Sequence, residues 1–315
     1  MGLLLAKKFN GEIVSADSRQ VYKQMDIGTA KPIGEWEEKK EVYIVDGVSH
    51  HLMDIVDPKK DFSLANYKEL ATKAIKDILS RNKLPIMVGG TGLYIQSLVD
   101  NLDIPKVEPN KRLRAQLEKK KLSELVAMLE KIDPETANKI DLKNPRRVLR
   151  ALEVVMQSGE SFSKQQTKSK PVYQVLQIGI DLPREELYSR INLRVDLQIG
   201  EGLVEETKKL AKKYKWSAPS MSSIGYRQIG LYLREEATLK EAIDILKRDT
   251  RRYAKRQMTW FKRDKKIVWI KNTNLVSAEK LVKEFLSSPS AREGVGGVGA
   301  DTSATPSRSL LVRGR

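Results

Sequence analysis

The sequence predicts an α/β fold with a parallel-sheet core and an all-helical insertion domain, and three observations carry this prediction. Short apolar runs alternate with amphipathic helical periods in the first part of the chain, and charged helices follow from about Asn110. A strand-like apolar run then returns at Val172 to Asp181. Strands that alternate with helices form parallel sheets, because a parallel connection needs a long crossover. With 315 residues the chain is long enough for about two domains.

Residues 1–108 form the predicted first part of the sheet core. Apolar residues at helical spacing predict its helices, and short apolar runs bounded by polar clusters predict its strands. The helices are expected at Leu3–Phe9, at Leu64–Leu79 and from Leu93 onward, and the strands at Glu12–Val14 and Pro85–Val88.

Residues 109–170 form the predicted helical insertion, and residues 171–286 form the predicted second part of the core. Residues 287–315 are mainly small and polar, with a few Arg and Leu, so we expect a disordered tail there. The insertion helices are expected at Lys111–Lys120, Leu122–Ile132 and Pro145–Met156. The second part of the core has expected strands at Val172–Asp181 and Ile267–Ile270 and expected helices at Arg184–Val195, Leu203–Lys213 and Leu239–Phe261.

The charge balance indicates the class of partner. Lys and Arg number 58 against 41 Asp and Glu, which gives a formal net charge of +17. Such an excess favours a polyanionic partner, and nucleic acid is the leading candidate.

Two residue types exclude several kinds of site. The chain has no cysteine, which excludes disulfides, thiolate zinc sites and thiol catalysis. The two histidines, His50 and His51, are adjacent, so we expect a structural role at a strand edge and no histidine-rich metal site.

No apolar run approaches the ~18 residues of a membrane span. No signal peptide opens the sequence, so we expect a cytoplasmic protein without membrane contact.

Two polar segments follow predicted strands and are candidates for a common site. Asp17 follows the strand Glu12–Val14, and Gly89 to Gly92 follow the strand Pro85–Val88. Ligands bind beyond the carboxyl ends of parallel strands, so Asp17 and Thr91 belong to one site if the sheet forms. Asp17 is either a turn former or helix cap, or a general base or outer-shell magnesium ligand. The glycines are either a plain loop or a phosphate cradle, and they match no established phosphate-loop spacing.

A basic helix and a preceding loop are the other candidates. Within Lys247 to Arg263, four cations share one face by i, i+4 spacing, with aromatic residues interleaved. This face is either merely solvated or clamps anions, and the net charge favours the second alternative. The loop Ser222 to Gln228 opens a helix and presents Arg227, or is an ordinary glycine-containing loop. The four cations are Arg248, Arg252, Lys255 and Arg256.

Taken together, these segments resemble the tRNA dimethylallyltransferases, also called tRNA isopentenyltransferases. The resemblance covers about residues 3–286 in order, and the run Asp26-Ile27-Gly28-Thr29-Ala30-Lys31-Pro32 is its most specific part. The other matching segments are Ser15–Tyr22, His50–Leu52, Asp54–Pro58, Gly89–Tyr94, Pro145–Val154, Ile224–Gln228 and Thr250–Arg263.

The resemblance implies a P-loop NTPase-like core whose helical insertion grips the tRNA anticodon stem-loop. It implies transfer of the dimethylallyl group of dimethylallyl diphosphate to N6 of the adenosine immediately 3′ of the anticodon, in tRNAs that read codons beginning with U. Mg²⁺ is the implied cofactor, with no metal site made by the protein alone. The implied partners are the anticodon stem-loop and dimethylallyl diphosphate, and we expect a monomer.

The resemblance also implies roles for individual residues. Asp17 matches the proposed base, Thr91 is expected beside it as a further catalytic residue, and Arg227 matches the arginine that stabilises the leaving diphosphate. Arg256 is expected to bind the diphosphate with Arg227. The expected tRNA-binding residues are Asp17, Ser18, Arg19, Gln20, Thr91, Arg114, Arg146, Arg147, Val148, Leu149, Arg150, Arg252, Lys255, Arg256 and Gln257.

The sequence departs from the family pattern at its start. Family members begin with a strand and a phosphate loop ending in Lys-Ser or Lys-Thr, whereas this sequence starts inside the following helix and contains no Gly-x-x-x-x-Gly-Lys-Ser/Thr run. We therefore expect a misplaced or truncated start, with impaired transfer if Met1 is the true start. Two alternatives follow: a catalytically impaired tRNA-binding remnant, and a kinase-like phosphotransferase, against which the missing lysine, the insertion and the basic helix all argue.

Overall fold

The structure is a computed structural model that describes residues 1–105, 107–165 and 167–288, together with the backbone of residues 307–313. The chain divides into two compact units. The first, which we call the sheet unit, comprises Met1–Ile95 and Val172–Arg315, and the second, the helical unit, comprises Gln96–Pro171. The helical unit therefore begins earlier than the insertion predicted at residue 109.

One sheet organises the first unit. In the described part of the chain its eight strands run in the order β2-β3-β4-β1-β5-β8-β6-β7. All pairings from β4 to β7 along this order are parallel, while β2, β3 and β4 pair antiparallel, so the predicted parallel sheet is confirmed. The strands are β1 (Gly11–Ser15), β2 (Glu35–Glu37), β3 (Val42–Val45), β4 (Val48–His51), β5 (Leu84–Val88), β6 (Tyr173–Asp181), β7 (Ile267–Lys271) and β8 (Ser307–Arg313).

The central strands are apolar because both faces of the sheet are covered. Ile13, Ile86 and Ile178 are nearly or fully buried and share one core with Leu5 of the first helix and Val282 of the last. Parallel strands with two covered faces are continuous apolar runs, so an alternating polar pattern is missing from them. That property allowed β1, β5 and β6 to be predicted from the sequence.

Strand β8 corrects the prediction of a disordered tail. Its backbone lies between β5 and β6 and pairs in parallel with both, with Leu310 opposite Ile86 on one side and opposite Leu176 on the other. The prediction is therefore wrong for residues 307–313, and the helix before the tail also extends to Ser287. Residues 289–306, 314 and 315 of that segment lie outside the described residues.

Each predicted helix is present, although some end several residues from the predicted position, and the helices at Pro134–Lys139, Phe162–Gln165 and Leu275–Ser287 were not predicted. Several helices begin at side-chain caps. Ser63 and Asn66 form a reciprocal capping box at one helix, and Thr238 and Glu241 form another. The helices are α1 (Gly2–Lys8), α2 (Leu64–Ser80), α3 (Gly92–Val99), α4 (Lys111–Leu117), α5 (Leu122–Ile132), α6 (Pro134–Lys139), α7 (Pro145–Ser158), α8 (Phe162–Gln165), α9 (Arg184–Gly200), α10 (Leu203–Lys213), α11 (Tyr226–Leu233), α12 (Leu239–Phe261) and α13 (Leu275–Ser287).

Each unit has its own helical core. In the sheet unit, α9 to α12 enclose a cluster that includes Met25, Leu203 and Tyr226. In the helical unit, α4 to α8 enclose Leu129 and Leu152 with their neighbours. The first cluster holds the loop after β1 against α10 and α11, and this contact positions the candidate site.

Candidate active site and nucleic-acid interface

The carboxyl ends of β1 and β5 bring Asp17 and Thr91 together, as the sequence predicts. The Ala16 amide donates to the Val88 carbonyl at 2.8 Å, and the Thr91 amide donates back to the Ala16 carbonyl at 3.0 Å. The hydroxyl of Thr91 then accepts a hydrogen bond from the Ser18 amide at 3.0 Å. The residues on either side of Asp17 thus form hydrogen bonds with Val88 and Thr91, at the end of β5 and within the glycine segment, residues 89–92. The expected proximity is confirmed, while the roles of these residues remain predictions.

Asp17 forms a turn with its own carboxylate. Its Oδ1 accepts the Arg19 amide at 2.8 Å and the Gln20 amide at 3.4 Å. This geometry is that of a local Asx turn, which is the structural alternative considered for this residue. The turn also fixes the direction of the carboxylate, and orientation is a requirement of a general base. The two alternatives are therefore compatible.

The glycines of residues 89–92 allow close packing. A Cβ added at Gly89 would lie 2.3 Å from the Ala16 carbonyl oxygen, and one at Gly92 would lie 2.3 Å from the indole nitrogen of Trp260. At Gly90 the same substitution would meet Gln257, whose side-chain amide donates to the Gly90 carbonyl at 2.9 Å. Helix α12 thus rests directly on this segment, which explains the glycines without a phosphate.

A second segment of the site, residues 25–31, is held by one carboxylate from α10. Glu206 accepts the backbone amides of Asp26, Ile27 and Gly28 at 2.9–3.0 Å. The Tyr226 hydroxyl donates to the same carboxylate at 2.6 Å. Burial and the nearby Glu206 charge raise the pKa of Tyr226 well above its usual range, so the phenol stays protonated as a donor.

Lys31 fixes the same segment from inside. Its side chain is 1% exposed, and its ammonium contacts Asp26 and Asp54 at 2.5 Å each and the Tyr22 carbonyl at 3.0 Å. Three acceptors match the three donors of an ammonium group. Gln20 then donates to the carbonyls of residues 29 and 30, which ties the Asp17 turn to this fixed segment.

Arg227 lies at the start of α11, as predicted, and is paired with a carboxylate of α12. Its Nη2 donates to Oδ2 of Asp249 at 2.9 Å, and its side chain is 57% exposed. The Gln228 side chain donates to the same oxygen at 2.8 Å. The sequence pattern did not identify Asp249 or Glu206, because a carboxylate on a charged helix is indistinguishable from a solvated one before its partners are known.

The basic face of α12 is largely exposed. Arg252, Lys255 and Arg256 are exposed, and Arg256 lies over the Tyr253 ring at 5.7 Å. Arg251, by contrast, points to α9 and donates to Asn192 at 2.7 Å. The helix therefore divides its cations between a packed side and a solvent side. The predicted shared face of exposed cations is confirmed.

The helical unit carries the remaining predicted tRNA contacts. Arg146 and Arg147 are exposed in the first turn of α7, whereas Val148 is fully buried. The side chain of Val148 therefore packs in the core and does not face solvent, which corrects the expectation that it contacts RNA. Leu149 is half-buried.

Two further arginines of that unit share a buried carboxylate. Arg114 donates to Glu153 through Nε at 2.7 Å and Nη2 at 2.8 Å, and Arg150 donates to it at 2.6 Å. Glu153 has no exposed side-chain surface. Burial opposes its charged form, but these hydrogen bonds outweigh it and hold the pKa of Glu153 below its ordinary value. Arg114 and Arg150 thus have a structural role besides any contact with RNA.

A largely apolar cavity opens at the carboxyl ends of β5 and β6. Helices α9 and α12 form its walls, and Gly90 forms part of its rim. Its charged lining residues are Arg190 and Arg194, and its apolar residues include Phe261 and Trp269. Strand β8 ends beside Gly179 between these two strands. The position is the usual one for ligands of parallel sheets.

The described residues contain no group of three or more His, Asp or Glu that could hold a metal ion. The Mg²⁺ implied by the resemblance therefore has no protein cage in this part of the chain.

The histidines lie inside the sheet: His50 contacts the Val48 carbonyl at 2.9 Å, and His51 contacts Glu12 at 2.7 Å. These contacts fit the predicted structural role, which stays a prediction, and β4 is an interior strand between β3 and β1. No described helix combines the length and apolarity needed to cross a membrane.

Comparisons with known proteins show which sequences and structures this chain is similar to. Residues 20–264 match the family model described as IPP transferase. A tRNA dimethylallyltransferase of Acetivibrio thermocellus is 47% identical over 90% of this chain and 91% of its own length. The solved tRNA isopentenylpyrophosphate transferase of Bacillus halodurans is 41% identical, with a TM-score of 0.62 over 89% of this chain and 88% of that one.

A solved eukaryotic dimethylallyltransferase acting on tRNA is 27% identical, with a TM-score of 0.69 over 93% of this chain and 73% of that one. The family match at residues 20–264 spans residues of both units and includes Arg227 and the basic face of α12, whereas Asp17 lies just before its first residue. The chain therefore belongs to the IPP transferase family, together with the tRNA dimethylallyltransferases.

Proposed function

We propose that this protein transfers the dimethylallyl group of dimethylallyl diphosphate to N6 of the adenosine immediately 3′ of the anticodon. The tRNAs are those that read codons beginning with U, and the product is N6-isopentenyladenosine. The observation that carries the proposal is the Asp17 turn, closed by the Arg19 amide, beside the hydrogen bond from the Ser18 amide to Thr91 at the carboxyl edge of the sheet. Membership of the IPP transferase family supports it.

Asp17 is the proposed acceptor of the adenine proton. The N6 amine forms a bond to C1 of the dimethylallyl group while the bond from C1 to the diphosphate oxygen breaks. The N6 proton passes to the Asp17 carboxylate, and diphosphate leaves with the electron pair. Because an exocyclic amine is a weak nucleophile, a positioned acceptor lowers the barrier. The target base reaches this edge only after it leaves the anticodon-loop stack.

Arg227 and Arg256 are the proposed contacts of the diphosphate. Negative charge develops on the leaving group, and preorganised guanidinium donors stabilise it. The cavity beside Gly90 fits the donor as well, because it combines apolar walls for a short prenyl chain with two arginines. Mg²⁺ would neutralise part of the diphosphate charge and would bind mainly through phosphate oxygens, as this ion commonly does.

Each unit has exposed cations that we propose as contacts of tRNA. In α12 they are Arg252 and Lys255, and in α7 they are Arg146 and Arg147. The net charge of +17 supports a polyanionic partner of this size. We propose that the protein works as a monomer in the cytoplasm, and light scattering during size-exclusion chromatography tests the first of these statements.

The experiment is a transfer reaction with Mg²⁺, dimethylallyl diphosphate and unmodified tRNA whose anticodon ends in adenosine. Mass spectrometry of the digested nucleosides is expected to detect N6-isopentenyladenosine. A tRNA whose anticodon is followed by guanosine is the matched control and is expected to give no product. Binding of tRNA without any product would contradict transferase activity and would favour the tRNA-binding remnant.

A further inference from the structure

The carboxylate of Asp249 lies at the centre of an arginine cluster. Its Oδ2 accepts from Arg227 at 2.9 Å, and its Oδ1 lies 3.4 Å from the Arg248 guanidinium and 3.8 Å from Nη1 of Arg252. The Asp249 side chain is only 14% exposed, whereas the three arginine side chains are 49–63% exposed. One partly buried anion therefore contacts three cations that face solvent.

Asp249 also accepts a hydrogen bond from a buried side chain of α11. The Gln228 side chain donates to its Oδ2 at 2.8 Å, and the carbonyl oxygen of that side chain accepts the Gly225 amide at 3.0 Å. Gln228 is 1% exposed, so this amide has little freedom to turn. Helix α12 is thus linked through Asp249 to the first turn of α11, which contains Arg227.

The groups around Asp249 keep its carboxylate ionised. Burial opposes the charged form, but the Gln228 hydrogen bond and the Arg248 and Arg227 guanidiniums outweigh it and hold the pKa of Asp249 below its usual value. An exposed ion pair contributes little to the stability of a fold. The pair can, however, restrict a long side chain to one direction, and that restriction reduces the entropy lost when an anion binds.

We propose that Asp249 is a positioning residue that orients Arg227 toward the leaving diphosphate of the donor. The proposal rests on the function proposed above, in which Arg227 contacts that diphosphate. A negative charge beside an anion site weakens anion binding by repulsion, so its removal should strengthen binding if Asp249 only repels. If Asp249 orients Arg227, its removal weakens diphosphate binding although the site becomes more positive.

The test compares Asp249→Asn with Asp244→Asn, which removes an exposed carboxylate from the same helix. Calorimetric titration with inorganic diphosphate gives the Kd, and steady-state transfer gives KM for dimethylallyl diphosphate. We expect Asp249→Asn to raise both about tenfold and to leave the Kd for an anticodon stem-loop unchanged or lower. Asp244→Asn is expected to stay within about twofold of the wild type in every measurement. Thermal unfolding of both variants checks the fold.

A double variant tests whether Asp249 acts through Arg227. Once Arg227→Gln has removed the guanidinium, adding Asp249→Asn is expected to change diphosphate binding by less than about twofold, because interacting residues are not additive. Asp249→Glu keeps the charge and is expected to recover part of the binding. Equal or tighter diphosphate binding by Asp249→Asn overturns the proposal, and so does absence of diphosphate binding by the wild type. Failure of the proposed function is distinct, since it appears as wild-type protein that binds diphosphate but forms no isopentenyladenosine.

Discussion

At the scale of single residues, the site consists of side chains that hold backbone in place. Lys31 satisfies two carboxylates and a carbonyl, and Glu206 satisfies three amides and a phenol. Such saturated networks are rigid, because each change leaves a buried donor or acceptor unpaired. The Asp17 turn inherits this rigidity through Gln20. A carboxylate fixed in this way is suited to accept a proton from one defined direction.

Asp17→Asn separates the two roles of that residue. Asparagine retains an oxygen that can accept the Arg19 amide, so the turn remains, but it cannot act as a base at neutral pH. We expect kcat for prenyl transfer to fall by about 10²–10⁴-fold. The Kd for the anticodon stem-loop, measured by filter binding, should stay within about threefold of the wild type. Near wild-type turnover by this variant would show that Asp17 only shapes the turn.

Some of these residues could be predicted from sequence, and others could not. Asp17 and Thr91 follow strands, so their meeting depends only on the sheet being parallel. Glu206 and Asp249 act through partners that lie about 180 and 22 residues away in the chain, and no local spacing encodes such pairs. Gly28 is a partial indication of this packing in the sequence, because a glycine among polar residues often marks a place where another group approaches the backbone closely. Here the Tyr226 ring approaches Gly28.

At the scale of secondary-structure elements, α12 combines three surfaces. Gln257 and Trp260 pack on the glycine segment, Arg251 packs against α9, and Arg252 with Lys255 faces solvent. Helical periodicity predicted the exposed face, because cations four residues apart lie on the same side. The packed surfaces depend on the partner elements, so they become visible only in the fold.

The exposed face of α12 predicts a salt-dependent affinity for tRNA. Arg252→Ala should weaken stem-loop binding and reduce the slope of log Kd against log salt by about one, because one phosphate contact is lost. Lys240→Ala, an exposed change at the start of the same helix, is the control. Equal slopes for the wild type and Arg252→Ala would remove this residue from the proposed tRNA surface.

The buried carboxylate of α7 predicts how the helical unit responds to pH. The folded pKa of Glu153 lies below the ordinary value, so the unfolded state binds more protons in acid. Its contribution is present above about pH 4.3 and is lost as the pH falls through the folded pKa. Glu153→Gln is expected to cost about 1–3 kcal/mol at neutral pH, because two partly exposed arginines lose a charged hydrogen-bond partner.

Hydrogen exchange of peptides from α5 and α7, at neutral pH and at pH values below about 4.3, measures this effect. The difference in protection between wild type and Glu153→Gln should shrink as the pH falls. Glu135→Gln, which removes an exposed partner of Lys139, should change protection little at any pH. A difference that stays constant with pH would mean that the charge of Glu153 does not stabilise the unit.

At the scale of the whole molecule, the sheet depends on a strand from the far end of the chain. The described strands form two sets, β2-β3-β4-β1-β5 and β6-β7, which β8 joins by parallel pairing on both sides. Residues 307–313 are a short segment, and the residues that precede them are mainly small and polar. The composition of this part of the sequence therefore favours disorder. Pairing with two apolar strands overrides that local signal.

Leu311→Pro tests this arrangement. Leu311 is opposite Met87 on one side and Gln177 on the other, and proline removes a backbone donor from an interior strand. We expect the free energy of unfolding to fall by at least about 1 kcal/mol, which lowers Tm by roughly 2–4 °C. Leu311→Ile keeps the amide and should leave Tm nearly unchanged. Identical melting of Leu311→Pro and wild type would exclude β8 as a stabilising strand.

We expect this chain to alkylate the exocyclic amine of one adenine in tRNA. The most direct measurement uses labelled dimethylallyl diphosphate and two anticodon stem-loops that differ only at the base 3′ of the anticodon. One carries adenosine, and the other carries inosine, which lacks the exocyclic amine. We expect label in the adenosine stem-loop alone. Label in both stem-loops, or in neither, would contradict this expectation.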